Sequence, residues 1–214
     1  MKINTRNSPR TLVLFIYLLA FILMTWSFNV QAESKKNHNP EVIISTSMGD
    51  IKVKLNSEKA PITTKNFLKY VAKKHYNGTI FHRVIPSFMI QGGGHLPNME
   101  EKKTLAEIKN EAKNGLSNLR GTIAMARTDK VDSATSQFFI NVVDNQRLNH
   151  TDDDNYGYAV FGEVTEGLDV VDKIRYVKTT TKGNHGDVPE SAVLINSIVL
   201  AKAEKTSKKT KGTK

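Results

Sequence analysis

Apolar and polar residues alternate along this chain in short runs that outline a protein built mainly from strands. Val42-Ile43-Ile44 is followed by Ser47-Met48-Gly49-Asp50 and then by the alternation Ile51-Lys52-Val53-Lys54-Leu55, the pattern of two strands joined by a turn. Pro61 opens a segment with Phe67, Leu68, Val71 and Ala72 on one side and Lys65, Lys69 and Lys73 among the rest. That arrangement predicts a helix with proline in its first turn. Further strand-like runs follow at 80–85, 88–91, 122–126, 138–143 and 158–164, separated by turns rich in Gly and Asp. Leu168, Val171 and Ile174 recur at three-residue spacing and mark a second short helix, and 192–200 makes a last strand. Many strands with only two helices predict a mainly β fold, a closed antiparallel barrel capped at its ends.

The two ends depart from this pattern. Lys2, Arg6 and Arg10 precede an apolar run from Leu12 to Met24, and Val30-Gln31-Ala32 puts acceptable residues where a signal peptidase reads. Residues 1–32 are therefore expected to be a cleaved secretory signal, leaving Glu33 as the mature N-terminus, in the periplasm or released from the cell, with no stable membrane insertion. The competing reading is an uncleaved anchor, because extending the run through Trp26 and Phe28 brings it close to the lower limit for spanning a bilayer. The rest divides into a polar linker at 33–40, one folded domain at 41–202 and a lysine-rich tail at 203–214. A chain of 214 residues suits one domain with a genuine core better than two.

Charge changes the picture only once it is located. The formal net charge is +10, which suggests nucleic-acid binding, but the uncompensated charge sits at the two ends, before Glu33 and from Lys202 onward, and the body is nearly neutral because its acidic residues balance its basic ones. A nucleic-acid partner is not expected. The tail, with Ser, Thr and Gly and almost nothing apolar, reads as a solvated, disordered segment that serves solubility, with an anionic surface as its competing partner. Cysteine is absent, which excludes disulfides, thiolate nucleophiles and Cys-metal sites. There is no glycine-rich phosphate loop ending in Lys-Ser or Lys-Thr, no paired-histidine zinc motif and no Gly-x-Ser-x-Gly elbow. His38, His75, His82, His95, His150 and His185 are scattered singly and read as turn and surface residues. Asp152-Asp153-Asp154 lacks the alternation, central Gly and terminal Glu of a calcium loop. No metal and no cofactor are expected.

The informative stretch is Phe81-His82-Arg83-Val84-Ile85-Pro86-Ser87-Phe88-Met89-Ile90-Gln91-Gly92-Gly93, in which two apolar strands carry Arg83 and Gln91. Alone it reads better as two half-buried strands with polar residues toward solvent than as a site. It is joined by Met125-Ala126-Arg127, Ser136-Gln137-Phe138-Phe139-Ile140 and Tyr158-Ala159-Val160-Phe161-Gly162. In these ordered motifs, together with Ala60-Pro61, Asn66-Phe67 and the loop Gly186-Asp187-Val188-Pro189, the chain resembles the cyclophilin family from Val42 to Ala201. The resemblance implies an eight-stranded barrel with a helix over each open end and a substrate groove on its outer face. It implies a peptidyl-prolyl cis/trans isomerase that assists folding, with Arg83 as the catalytic arginine and Gln91 as the residue orienting the substrate. Phe88, Met89, Phe139 and Leu148 correspond to the walls of the proline pocket, and Ala126, Arg127 and Gln137 to the peptide groove, the first two partly through their backbone.

Two positions depart from the family pattern. Arg147 stands before the pocket leucine, Leu148, where drug-binding members carry a tryptophan, so only weak cyclosporin binding is expected. Tyr158 stands where many members have histidine and still closes the pocket edge as an aromatic with a hydroxyl. The partners implied are proline-containing polypeptides, met by a monomer. The competing functions are a proline-peptide-binding module and a chaperone with little turnover. Arg83 favours the enzyme, since a binder has no use for a guanidinium aimed at a nitrogen that becomes basic only in the transition state.

Overall fold

A computed structural model describes residues 39–201. The expected signal at 1–32, most of the linker and the tail at 203–214 lie outside the described residues. The strands are β1 (Glu41–Thr46), β2 (Gly49–Leu55), β3 (Thr79–Ile85), β4 (Met89–Gly92), β5 (Thr122–Met125), β6 (Phe138–Asn141), β7 (Val160–Glu166), β8 (Thr179–Lys182), β9 (His185–Pro189) and β10 (Leu194–Leu200). Two α-helices, α1 (Pro61–Ala72) and α2 (Leu168–Arg175), and two single-turn 3₁₀ segments at Ala112–Asn114 and Gln146–Leu148 complete the set. Eight strands close a barrel in the order β1-β10-β3-β4-β6-β5-β7-β2, and every pairing is antiparallel. Closure leaves the barrel without an unpaired edge. Among the described residues no helix is long and apolar enough to cross a membrane.

The two helices seal opposite ends. α1 has no side-chain cap of its own and no acidic residue in its first turn. Glu111, distant in sequence, supplies the missing acceptor, taking bonds from the backbone N–H of Ile62 at 3.0 Å and of Thr63 at 2.7 Å. Phe67 on its inner face packs against Tyr76, Phe161 and Phe138, with ring centroids 5.1, 5.2 and 5.7 Å away. Asn66 donates to the carbonyl of Thr135 at 2.6 Å, which ties α1 to the end where β5 leaves and β6 enters. α2 buries Val170, Val171 and Ile174 in the same core. A methyl group on Gly49, at the start of β2, would fall 2.8 Å from Val170, so α2 covers the end where β5 begins.

The sheet between β3 and β5 is apolar on both faces. Val84, Ile90, Ile140 and Ile123 point into the barrel core, while Met89, Ala124, Phe139 and Val160 form a second buried cluster on the outside. This explains why β6 reads as an unbroken apolar run rather than an alternation. One segment departs from the sequence reading. Gly186-Asp187-Val188-Pro189, expected as a loop, belongs to β9, which pairs with β8 as a two-stranded hairpin against β3. β8 is Thr-Thr-Thr-Lys and offers no apolar alternation to read.

Candidate active site

Strand register assembles the site. Arg83 of β3 is the Cα partner of Gln91 of β4, Gln91 of Phe139 of β6, and Phe139 of Ala124 of β5. Cα partners in adjacent strands share a face, so this row crosses four strands on the barrel's outer surface. Simple alternation from Phe81, which is in the core, would turn Arg83 inward. A bulge prevents this. The register shifts between Phe81 and Arg83, so that His82 is the extra residue, Arg83 stays outside and Val84 returns to the core.

A cavity of about 170 Å³ on this face is lined by Arg83, Phe88, Met89, Gln91, Ala126, Arg127, Phe139, Leu148 and Tyr158. Nine of the ten residues expected at the site thus surround one space. The tenth, Gln137, lines a neighbouring cavity of about 490 Å³ together with Arg83, Gln91, Glu101, His82, His95, Asn184, His185, Gly186 and Asp187. Arg83 and Gln91 belong to both and stand at the junction. The Arg83 side chain is 45% exposed, so it meets solvent at the rim until a ligand covers it.

Hydrogen bonds fix the polar side of the groove. Glu101 can only accept, and it takes a bond from Gln137 Nε2 at 3.2 Å. Gln137 Oε1 then faces Gln91, whose Nε2 donates to it at 2.9 Å, leaving Gln91 Oε1 outside this chain of bonds. Gly94 makes room for it, because a Cβ there would lie 2.5 Å from Gln137 Cγ. The N–H of Ala126 donates to the Gln137 carbonyl at 3.0 Å and is not free for a peptide. Arg127 lies over the Tyr158 ring, 4.7 Å from its centroid, and donates Nε to the Gly157 carbonyl at 3.1 Å. Arg147, in the position where drug-binding members carry a tryptophan, stacks on Phe88 with its guanidinium carbon 4.9 Å from the ring centroid.

Three residues that sequence reasoning did not single out hold the pocket walls. Asn145 Nδ2 donates to the Phe88 carbonyl at 2.8 Å and to Asn141 Oδ1 at 2.7 Å. Asn141 Nδ2 donates to Asn118 Oδ1 at 3.1 Å, and Asn118 Nδ2 reaches the carbonyls of Leu148 at 3.0 Å and Tyr158 at 3.3 Å. All three are buried, and a satisfied buried network of this kind holds loops rigidly. The visible signal was Asn141, a polar residue ending an apolar strand.

The histidines also differ from expectation. His82 and His95 are buried rather than exposed, with ring centroids 4.3 Å apart, and His95 meets His185 edge-on at 5.3 Å. Burial, helped by the charges of His95 and His185, pushes the His82 pKa down to about 3. His95 is lowered too, again mainly by burial. The buried imidazoles are therefore neutral near pH 7 and leave Arg83 as the cation at the junction. Among the described residues no group of three His, Asp or Glu side chains gathers where it would hold a metal ion.

Known proteins resemble this chain in sequence and fold. The family model described as "Cyclophilin type peptidyl-prolyl cis-trans isomerase" matches residues 41–200. The chain is 59% identical over 162 residues to a peptidyl-prolyl cis-trans isomerase of Acinetobacter baylyi, covering 76% of this chain and 86% of that one. It is 55% identical over 162 residues to peptidyl-prolyl cis-trans isomerase B of Escherichia coli, covering 75% and 99%. Among solved structures, a cyclophilin-type isomerase of Cryptosporidium parvum superposes with a TM-score of 0.63 at 27% identity, covering 76% of this chain and 98% of that one. A second structure of that protein was determined in the presence of the dipeptide Ala-Pro. Shared along the whole barrel and at more than half of the aligned positions of the bacterial enzymes, these features place the chain in the cyclophilin family of peptidyl-prolyl cis-trans isomerases.

Proposed function

We propose that the enzyme turns X-Pro bonds of exported polypeptides by holding the proline ring in the 170 Å³ cavity and presenting Arg83 to the proline nitrogen. The observation that carries this reading is the junction. One cavity of ring size brings the apolar side chains of Phe88, Met89, Phe139 and Leu148 together with the Arg83 guanidinium and the Gln91 amide. The Ala-Pro dipeptide used with the Cryptosporidium relative supports a proline-containing ligand.

The chemistry needs no bond cleavage. Amide resonance gives X-Pro rotation a barrier of roughly 18–20 kcal/mol. In the twisted transition state the proline nitrogen becomes pyramidal and gains a lone pair, which a fixed guanidinium stabilises more than it stabilises the planar ground state. An acceleration on the order of 10⁵ requires roughly 7 kcal/mol, and one preorganised donor supplies about 3–4 kcal/mol. The remainder falls to the apolar walls of Phe88, Met89, Phe139 and Leu148, which strip water from the more dipolar planar amide, and to Gln91, which holds the carbonyl side.

The expected site of action is the periplasm, reached through the signal at 1–32, and the expected active form is a monomer. NMR exchange spectroscopy on a short Ala-Pro peptide separates turnover from mere holding. Substoichiometric protein should speed cis/trans exchange of the whole peptide pool. Shifts that report binding without faster exchange would establish the proline-peptide-binding module instead.

A further inference from the structure

Arg83 has a neighbour on the side away from the proline pocket. Its Nε lies 3.7 Å from Oδ2 of Asp187, on β9. We infer that Asp187 is a positioning residue for Arg83, holding the guanidinium toward the proline pocket. This rests on the reading of Arg83 as the catalytic group.

Three observations converge on that carboxylate. Asp187 has a φ of 59°, left-handed backbone inside a strand, whereas Lys74 and Met99, the other non-glycine residues with positive φ among those described, lie outside strands. Left-handed backbone is unfavourable for L-residues, least so for Asp and Asn, and such outliers gather at functional sites. The ladder with β8 is irregular at the same place. Thr180 pairs with Val188 and Lys182 with His185, so Gly186 and Asp187 together face Thr181. A bulge re-aims a side chain, and this one lies across from the bulge at His82 that keeps Arg83 outside. The hairpin is also held firmly around it, by buried Val188 and Pro189 on one side and by His185 against His95 on the other.

Stability does not account for the arrangement. The two side chains are 45% and 47% exposed, and an ion pair in that setting adds little to folding. An exposed arginine otherwise spreads over many rotamers, and a group that stabilises a transition state must be oriented before the reaction begins. With Nε turned to Asp187, the outer nitrogens of the fork remain for the amide.

The test compares Asp187→Gly, Asp187→Asn, Arg83→Ala and the double variant Arg83→Ala/Asp187→Gly, in kcat and KM for a proline peptide and in Tm. Glycine relieves the backbone, so Tm should hold or rise while kcat falls about tenfold with KM little changed. Asparagine keeps an acceptor and tolerates the backbone, so its kcat should fall between wild type and glycine. In the Arg83→Ala background, Asp187→Gly should have no further effect. Wild-type kcat in Asp187→Gly alongside a crippled Arg83→Ala would overturn the inference, as would additive losses or a Tm that falls with kcat. Unchanged kcat in Arg83→Ala would overturn the catalytic reading of Arg83 itself.

Discussion

At the residue scale, the wall above Phe88 is a stacked guanidinium, that of Arg147. It shields the ring as a flat group would, but it offers a charge where drug-binding cyclophilins offer an indole face and an N–H donor. Loss of an aromatic anchor commonly costs about 2 kcal/mol or more, roughly thirty-fold in affinity. Cyclosporin should therefore inhibit this enzyme only weakly, and Arg147→Trp should raise sensitivity by about that factor while peptide turnover changes little. Nanomolar inhibition of the unmodified protein in the same titration would contradict the role given to Arg147. Most residues that line the cavity were legible in the sequence because they sit in ordered motifs, Phe81 to Gly93 and Ser136 to Ile140 among them. Asn118, Asn141 and Asn145 were not, because their partners are one another and the backbone carbonyls of Phe88, Leu148 and Tyr158, brought close only by the fold.

At the scale of elements, alternation located the barrel strands to within a few residues and failed where the strand itself is irregular. β3 reads as an apolar run interrupted by His82 and Arg83, and its bulge at His82 shows only in the register. β8 and β9 were missed because an exposed hairpin of Thr, Lys, Gly and Asp carries no apolar period. The bulge has a thermodynamic signature. His82 has a folded pKa of about 3 against 6.5 for an unhindered histidine, so between these values the unfolded chain binds the extra proton. Stability is thus retained above about pH 6.5 and lost as pH falls below it, by about 2 kcal/mol at pH 5. Urea unfolding of wild type and His82→Gln at pH 7 and pH 5 checks this. The advantage of wild type should shrink on acidification, and a difference independent of pH would show that His82 does not stay neutral in the folded state.

At the scale of the whole molecule, a nearly neutral body is flanked in the sequence by two basic ends. The composition of the first 32 residues predicts that protein recovered from cells begins at Glu33 and needs no detergent, which N-terminal sequencing of the purified protein decides. Full-length chain in the membrane fraction would establish an anchor. In the mechanism proposed above, the barrel contributes rigidity. Four neighbouring strands, two clusters of packed side chains and a buried amide network fix the backbone of Arg83 and the walls of the cavity beside it. The most direct measurement of that claim is kcat/KM of Arg83→Ala in a protease-free isomerisation assay, with folding checked by circular dichroism. Loss of the preorganised donor predicts a fall of about 10²-fold or more in a folded protein, whereas unchanged turnover would contradict transition-state stabilisation by Arg83.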